Sequence, residues 1–290
     1  MSSLRSLWVF AAPALFLLLW SGGFTAAKVG LQYATPMALL AIRYLAVVVI
    51  MAALFAILRP PLPKTWVGWG HLAWVGFLIQ TIYFGLSYLA FAAGIAAGTV
   101  ALLMSFQPII VAILAPRWTG EQTSWRQWGG LALAMLGTLA VILARSEIEP
   151  PSAFGLFSAI LGLLGITGAT LWEKRFGLSY HPVTANLIGF AAGLIGLLPL
   201  LLIFETPSVT WTWTFVGVLG YLVIGNSVIA VGLLLAMIRA GEVSKVSALF
   251  FLVPPLAALM AWLALGEVMP PLAWVGLIAA GIGVLLATRK

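Results

Sequence analysis

The sequence has no cysteine and no aspartate, and only seven glutamates in 290 residues. Without cysteine there is neither a disulfide framework nor a thiolate metal site. Charge of either sign is scarce: ionised residues make up 7% of the chain, against about 25% in a soluble domain. That is too little polar surface to cover a water-soluble globule. Catalytic signatures are missing as well: there is no P-loop, no HExxH and no GxSxG elbow. His71 and His181 lie near span ends, too far apart in sequence to suggest a metal pair. The chain is therefore not expected to be an enzyme, and no cofactor or metal is implied.

What is present is apolar. Hydrophobic residues make up 63% of the chain. The basic balance, pI about 10.1, does not indicate nucleic acid, because the Lys and Arg residues stand singly or in pairs between apolar runs. That is the pattern of membrane loops, not of a basic face. Apolar runs punctuated by Pro, Gly or charge predict ten spans, near 7–29, 36–58, 67–90, 97–115, 126–144, 152–174, 183–204, 213–237, 244–264 and 270–287. Most reach the roughly 20 residues that cross a hydrocarbon core. Lipid offers no partner to an open backbone group, so runs of this length must be helices. The loops are too short to hold a soluble domain. The first span, with Arg5 before it and Gly22 and Gly23 near its end, also has the outline of a secretory leader. Its counterpart in the second half argues against that reading.

A shift of 146 or 147 residues superposes the halves. It sets Ala93-Gly94 on Ala240-Gly241, Ala101-Leu102 on Ala248-Leu249, and Pro108 on Pro255. Gly120-Glu121 falls on Gly266-Glu267, Trp128 on Trp274, Gly130 on Gly276 and Gly137 on Gly283. Lys28 meets Lys174, and Pro36 meets Pro182. The expected organisation is a five-helix repeat over 1–146 and a second over 147–290. Five is odd, so the second repeat enters the membrane inverted, as in many secondary transporters that bind substrate near the midplane between repeats. Orientation follows from basic residues. With the N-terminus inside, eleven Lys and Arg fall on the inner side: Arg5, Arg59, Lys64, Arg117, Arg126, Lys174, Arg175, Arg239, Lys245, Arg289 and Lys290. Only Lys28 and Arg145 fall outside, and Arg43 lies within a span. Both termini are thus expected in the cytoplasm. Glu147, Glu149, Glu205 and Glu267 fall outside.

The run Leu19-Trp20-Ser21-Gly22-Gly23-Phe24, with Lys28, Pro36 and Arg43 after it, resembles the opening of the drug/metabolite transporter superfamily, EamA type. The stretches Gly94, Ala101-Leu102-Leu103, Pro108, Gly120-Glu121, Gly137 and Gly241-Glu242, Pro254-Pro255, Gly266-Glu267, Gly283 resemble the ends of its two repeats. The resemblance covers almost the whole chain. It implies an all-α, ten-helix metabolite exporter of the bacterial cytoplasmic membrane, similar to the YddG-type exporters of aromatic and other amino acids.

Polar residues inside spans are costly and usually face the bundle interior. Arg43 lies two turns into its span, either as a structural arginine or as a substrate contact. Gln80 stands mid-span in the third helix, and the repeat sets Asn226 opposite it in the eighth. An amide both donates and accepts, so it suits a carboxylate or an ammonium; a helix–helix hydrogen bond is the plainer role. Gln80, Tyr83 and Ser87 share a face at i, i+3 and i+7, with Tyr88 just beyond. Ser21, Thr25 and Lys28 form a stripe on the first helix, and Thr167, Thr170 and Lys174 form one on the sixth. These stripes line a path, or are snorkelling lysines with hydroxyls bonded back to their own helices. Trp20 is a candidate cavity wall. Pro108 and Pro255 are expected to kink their helices as scaffold; Gly189 with Gly193, and Gly276 with Ala280, allow close helix packing.

No glutamate lies at a span centre, which disfavours both a mid-membrane proton relay and the buried carboxylate of a cation pump. The expected function is outward transport of small amphipathic metabolites, amino acids first, by alternating access. A multidrug exporter of hydrophobic cations and a channel are the alternatives. The expected partners are a small-molecule substrate and the lipid bilayer, with no nucleic acid, the chain acting as monomer or homodimer.

Overall fold

The computed structural model describes residues 2–95, 100, 103–145, 152–177, 180–241, 243–266 and 268–289, with side chains from Ala11 onward except those of Arg145 and Leu265. Residues 97–99 at the start of the expected fourth span lie outside the described residues. So do Ala101-Leu102, Glu147, Glu149, Glu242, Glu267 and Lys290 of the readings above. The helices are α1 (Ser2–Gly30), α2 (Pro36–Leu58), α3 (Trp66–Ala92), α4 (Gln107–Trp118) and α5 (Trp125–Arg145). There follow α6 (Ala153–Phe176), α7 (Pro182–Phe204), α8 (Trp213–Ala240), α9 (Val243–Ala264) and α10 (Pro271–Thr288). Among the described residues, nine helices are long and apolar enough to cross a membrane. The remaining element is α4, which covers the second half of the expected fourth span, 97–115, and runs three residues past it. The chain is a multi-pass α-helical membrane protein.

Hydrophobic runs fix where spans begin and end, but they do not report the winding inside them. The middle of α3, Phe77–Gly85, is a π-helix, and so is Tyr221–Ala230 in α8. These segments occupy corresponding places in the two halves. A π-segment leaves backbone groups outside the regular i→i−4 ladder and is frequent at functional sites. The prolines depart from expectation in a related way. A turn at Ser105-Phe106 precedes α4, and a 3-10 segment, Leu249–Leu252, interrupts α9. Pro108 and Pro255 then stand in the first turn of each resumed helix. A missing N–H costs no intrahelical bond there, so the prolines restart helices and do not bend continuous ones.

The helices group into two compact units that are not the two sequence halves. The first comprises 1–25, 96–150 and 229–290, and the second 26–95 and 151–228. Each draws on both halves of the chain.

In the first unit α5 and α10 cross where side chains are minimal. A Cβ on Gly137 would strike the Ala280 backbone, and one on Gly283 would strike that of Ala134. The Thr138 hydroxyl lies 2.7 Å from the Phe251 carbonyl within the 3-10 segment. The Glu121 carboxylate accepts from Val243 N at 3.1 Å and Ser244 N at 3.5 Å, capping α9. Gly120 and Gly266 end α4 and α9 with φ of 77° and 67°, a left-handed turn that glycine adopts without a Cβ clash.

In the second unit Glu205 does the same for α2, accepting from Met37 N and Ala38 N at 3.0 Å each. A carboxylate at a helix N-terminus satisfies open donors and meets the positive end of the dipole. Gly76 and Gly189 bring α3 and α7 into backbone contact. Gly193 leaves room for the Gln80 side chain, which a Cβ there would strike.

Candidate functional site

Arg43 is the most informative side chain of the second unit. It is 1% exposed. Its Nε donates to Ser227 Oγ at 2.7 Å and its Nη2 to Asn226 Oδ1 at 2.6 Å. It also hydrogen-bonds Tyr88, and its guanidinium carbon lies 4.9 Å from the centre of the Phe84 ring. Among the described residues no carboxylate pairs with it. The guanidinium has five N–H donors and three named partners, all neutral. An arginine taken out of water costs several kcal/mol unless its charge is met. Dipoles and a ring face meet it only in part.

α3 lies against α2 here. The Tyr44 hydroxyl donates to the Gln80 carbonyl at 2.9 Å, inside the π-segment. The Thr81 hydroxyl donates to Gly193 O at 3.0 Å. With the Gln80 backbone tied this way, its side-chain Oε1 is buried without a hydrogen-bond partner, and so is Ser87 Oγ. A buried polar atom left open costs about 1–3 kcal/mol, so both oxygens invite a donor. Tyr83, Phe84 and Tyr88 put aromatic surface on the same stretch, Tyr83 and Phe84 with centroids 4.6 Å apart. α2 and α3 thus carry a cation held by neutral partners, two open acceptors and apolar rings. They complement a carboxylate, a donor such as an ammonium, and an apolar side chain.

Of the residues singled out in the sequence, Arg43, Gln80, Tyr83, Ser87, Tyr88 and Asn226 fall in this one unit. Asn226 spends its amide oxygen on Arg43, so it orients the guanidinium. Lys28, Thr167, Thr170 and Lys174 share the unit. The hydroxyls of Thr167 and Thr170 donate to Leu163 O and Ile166 O at 2.7 Å, back along α6. Lys28 is exposed, and Lys174 half-buried. Trp20, Ser21 and Thr25 belong to the first unit. There the Trp20 ring packs with Phe16 and Phe250 at centroid distances of 5.2 and 5.6 Å, and Ser21 Oγ and Thr25 Oγ1 are buried without partners. Sequence reasoning missed Tyr44, Phe84 and Ser227. Ser227 follows Asn226 and Tyr44 follows Arg43, so adjacency to an intramembrane polar residue was the available signal.

Two further polar ties lie outside this cluster. His71 and Glu173, both buried, join α3 to α6 at 2.9 Å. Gln107 Nε2 donates to Ser247 Oγ at 3.4 Å in the first unit.

Comparison with known proteins gives a consistent picture. The sequence profile of the EamA-like transporter family matches twice, over residues 6–143 and 153–289. A protein of Streptantibioticus cattleyicolor named probable terminal-alkyne amino-acid exporter is 30% identical over 67% of this chain and 65% of its own length. A probable amino-acid metabolite efflux pump of Salmonella typhimurium is 27% identical over 92% of this chain and 91% of its own. A solved crystal structure 18% identical in sequence superposes with a TM-score of 0.80 over 96% of each chain, which shows the fold alone.

Proposed function

The chain belongs to the EamA-like transporter family, and we propose from that premise that it exports amino acids, aromatic and other, across the bacterial cytoplasmic membrane. The substrate site is the Arg43 cluster. Arg43 takes the substrate carboxylate, Gln80 Oε1 and Ser87 Oγ take its ammonium, and Tyr83, Phe84 and Tyr88 contact its side chain. The single observation that carries this is a buried arginine held by neutral partners, with no protein carboxylate against it among the described residues. The relatives named for amino-acid export and one from Escherichia coli described as an inner membrane transporter support the substrate class and the location.

Arg43 and Gln80 come from the first half of the chain, Asn226 and Ser227 from the second. A site shared by inverted repeats, 1–146 and 147–290, is what alternating access requires. Both termini lie in the cytoplasm, so that α3 begins and α6 ends on the inner side.

Counterflow into proteoliposomes against a panel of amino acids tests the reading. Saturable counterflow of labelled L-phenylalanine or a smaller amino acid is the expected result. Flux of ethidium-like cations without any amino acid would favour drug export, and ohmic current would indicate a channel.

A further inference from the structure

The His71–Glu173 contact is one end of a three-member chain. Trp172 Nε1 donates to His71 Nδ1 at 3.1 Å, while His71 Nε2 stands 2.9 Å from Glu173 Oε2. An imidazole whose Nδ1 accepts carries its proton on Nε2. His71 is therefore neutral and donates to the carboxylate. All three groups sit where α3 meets α6: His71 and Glu173 are buried, Trp172 half-buried. Two ionisable groups are thus held away from water, and the Arg43 cluster does not use them.

Other ionisable groups lie on the same helices and on those around them. On α6 itself, Lys174 is half-buried, and Arg175 is exposed with its guanidinium 5.2 Å from the Phe176 ring centre. α7, packed on α3, holds no Asp, Glu, Lys, Arg or His within Pro182–Phe204. Its capping residue His181 is exposed and its Nδ1 accepts from Val183 N at 3.3 Å. Tyr180 lies against Gly68, and Lys64, just before α3, is exposed.

We propose that His71, Trp172 and Glu173 form a proton-binding site, and that one proton taken up there rearranges the tie between α3 and α6 and changes the rate of export. A proton on Nδ1 removes the acceptor and sets the Trp172 and His71 N–H groups against each other, while the Nε2 bond to the carboxylate becomes charge-assisted. A proton on Glu173 takes the charge off the acceptor of the other bond, which weakens it. In the first case the Trp172 link is lost, and in the second the Glu173 link is weakened. α3 also carries Gln80, nine residues further on and so about 13 Å along the axis. Motion at the His71 end is thereby passed to the segment that faces substrate. This regulatory role rests on the export reading and on the topology that puts His71 at the inner end of α3. The signal it reads is cytoplasmic pH, and no proton need cross the membrane.

The chain has two histidines, so His181→Gln leaves one imidazole to observe. The full-length protein in nanodiscs, labelled with 15N-histidine and 15N-tryptophan, is titrated between about pH 8 and pH 5, where imidazole charge commonly changes. His71 is expected as the Nε2-protonated tautomer at the alkaline end, taking up a proton as the Trp172 indole N–H signal shifts with the same midpoint. Trp172→Phe, which frees Nδ1 with little change of packing, displaces that midpoint. In proteoliposomes, L-phenylalanine counterflow varies with internal pH over the same interval, and the dependence is flat in Glu173→Gln. A histidine that keeps one tautomer throughout, or a pH profile unchanged in both variants, overturns the proposal. A protein that titrates as described yet moves no amino acid supports the proton site and contradicts the substrate assignment instead.

Discussion

The rings of Tyr44 and Phe190 meet edge to face with centroids 5.6 Å apart, and their positions differ by the repeat offset of 146 (190 − 44). A residue touches its own counterpart beside a pseudo-two-fold axis, where α2 packs on its equivalent α7. The first unit repeats the relation. Gly137 meets Ala280, and the image of that pair, Gly283 with Ala134, is also in contact. Gly120 and Gly266, again 146 apart, share a left-handed backbone.

Because Tyr44 both packs on Phe190 and donates to Gln80 O, its two roles separate by mutation. Tyr44→Phe keeps the ring and loses the bond, at about 1 kcal/mol. Tyr44→Ala loses both, at about 3–5 kcal/mol. Thermal unfolding in detergent should rank wild type, Phe and Ala in that order, with the larger step at Ala. An equal loss in both would show that the ring contact carries little.

Gly137→Ala puts a methyl against the Ala280 backbone, where nothing flexible can give way, and should cost about 1–3 kcal/mol. Gly129→Ala, in the same helix but facing open space, should be neutral or slightly stabilising. Comparing the monodisperse fraction of each variant after heating separates a specific crossing from a general intolerance of alanine in α5.

Pattern legibility explains which parts of this architecture were open to sequence reading. The boundaries of α2 and α7 were legible because Pro36 and Pro182 stand at their first positions and apolar residues fill the rest. The repeat was legible through rare residues such as Trp128 and Trp274. The π-segments were not, since Phe77–Gly85 and Tyr221–Ala230 differ in winding and not in composition. Gln80 and Arg43 stood out as polar residues in apolar runs, but only three-dimensional packing tells that Asn226 faces Arg43. Sequence placed Glu173 at a span end and His71 near another, and the spacing of 102 residues hid that they meet.

Asn226→Asp is the sharpest single change near the site. It sets a carboxylate where an amide oxygen now lies 2.6 Å from Arg43 Nη2. The charge-assisted pair that forms should leave thermal stability unchanged or raised. The neutralised arginine no longer attracts a substrate carboxylate, so L-phenylalanine counterflow should fall at least about tenfold, in line with the roughly 1.5–3 kcal/mol of a hydrogen bond to a charged group. Wild-type transport by this variant would count against the anchor.

The topology is open to direct labelling because the chain has no native cysteine. Leu62→Cys and Thr206→Cys place single thiols at exposed positions in the loops after α2 and α7. An impermeant maleimide applied to intact cells should label position 206 alone, and position 62 only after the cells are opened. The reverse pattern would invert the orientation.

The central claim, that Arg43 binds the substrate carboxylate, is tested most directly by competition against labelled L-phenylalanine counterflow. Two analogues are compared: 3-phenylpropionate, which keeps the carboxylate and lacks the ammonium, and phenethylamine, which does the opposite. The account predicts inhibition by 3-phenylpropionate, little by phenethylamine, and loss of that distinction in Arg43→Gln together with a roughly tenfold to hundredfold weaker apparent affinity for the amino acid. Phenethylamine competing as well as L-phenylalanine itself, in wild type and Arg43→Gln alike, would contradict it.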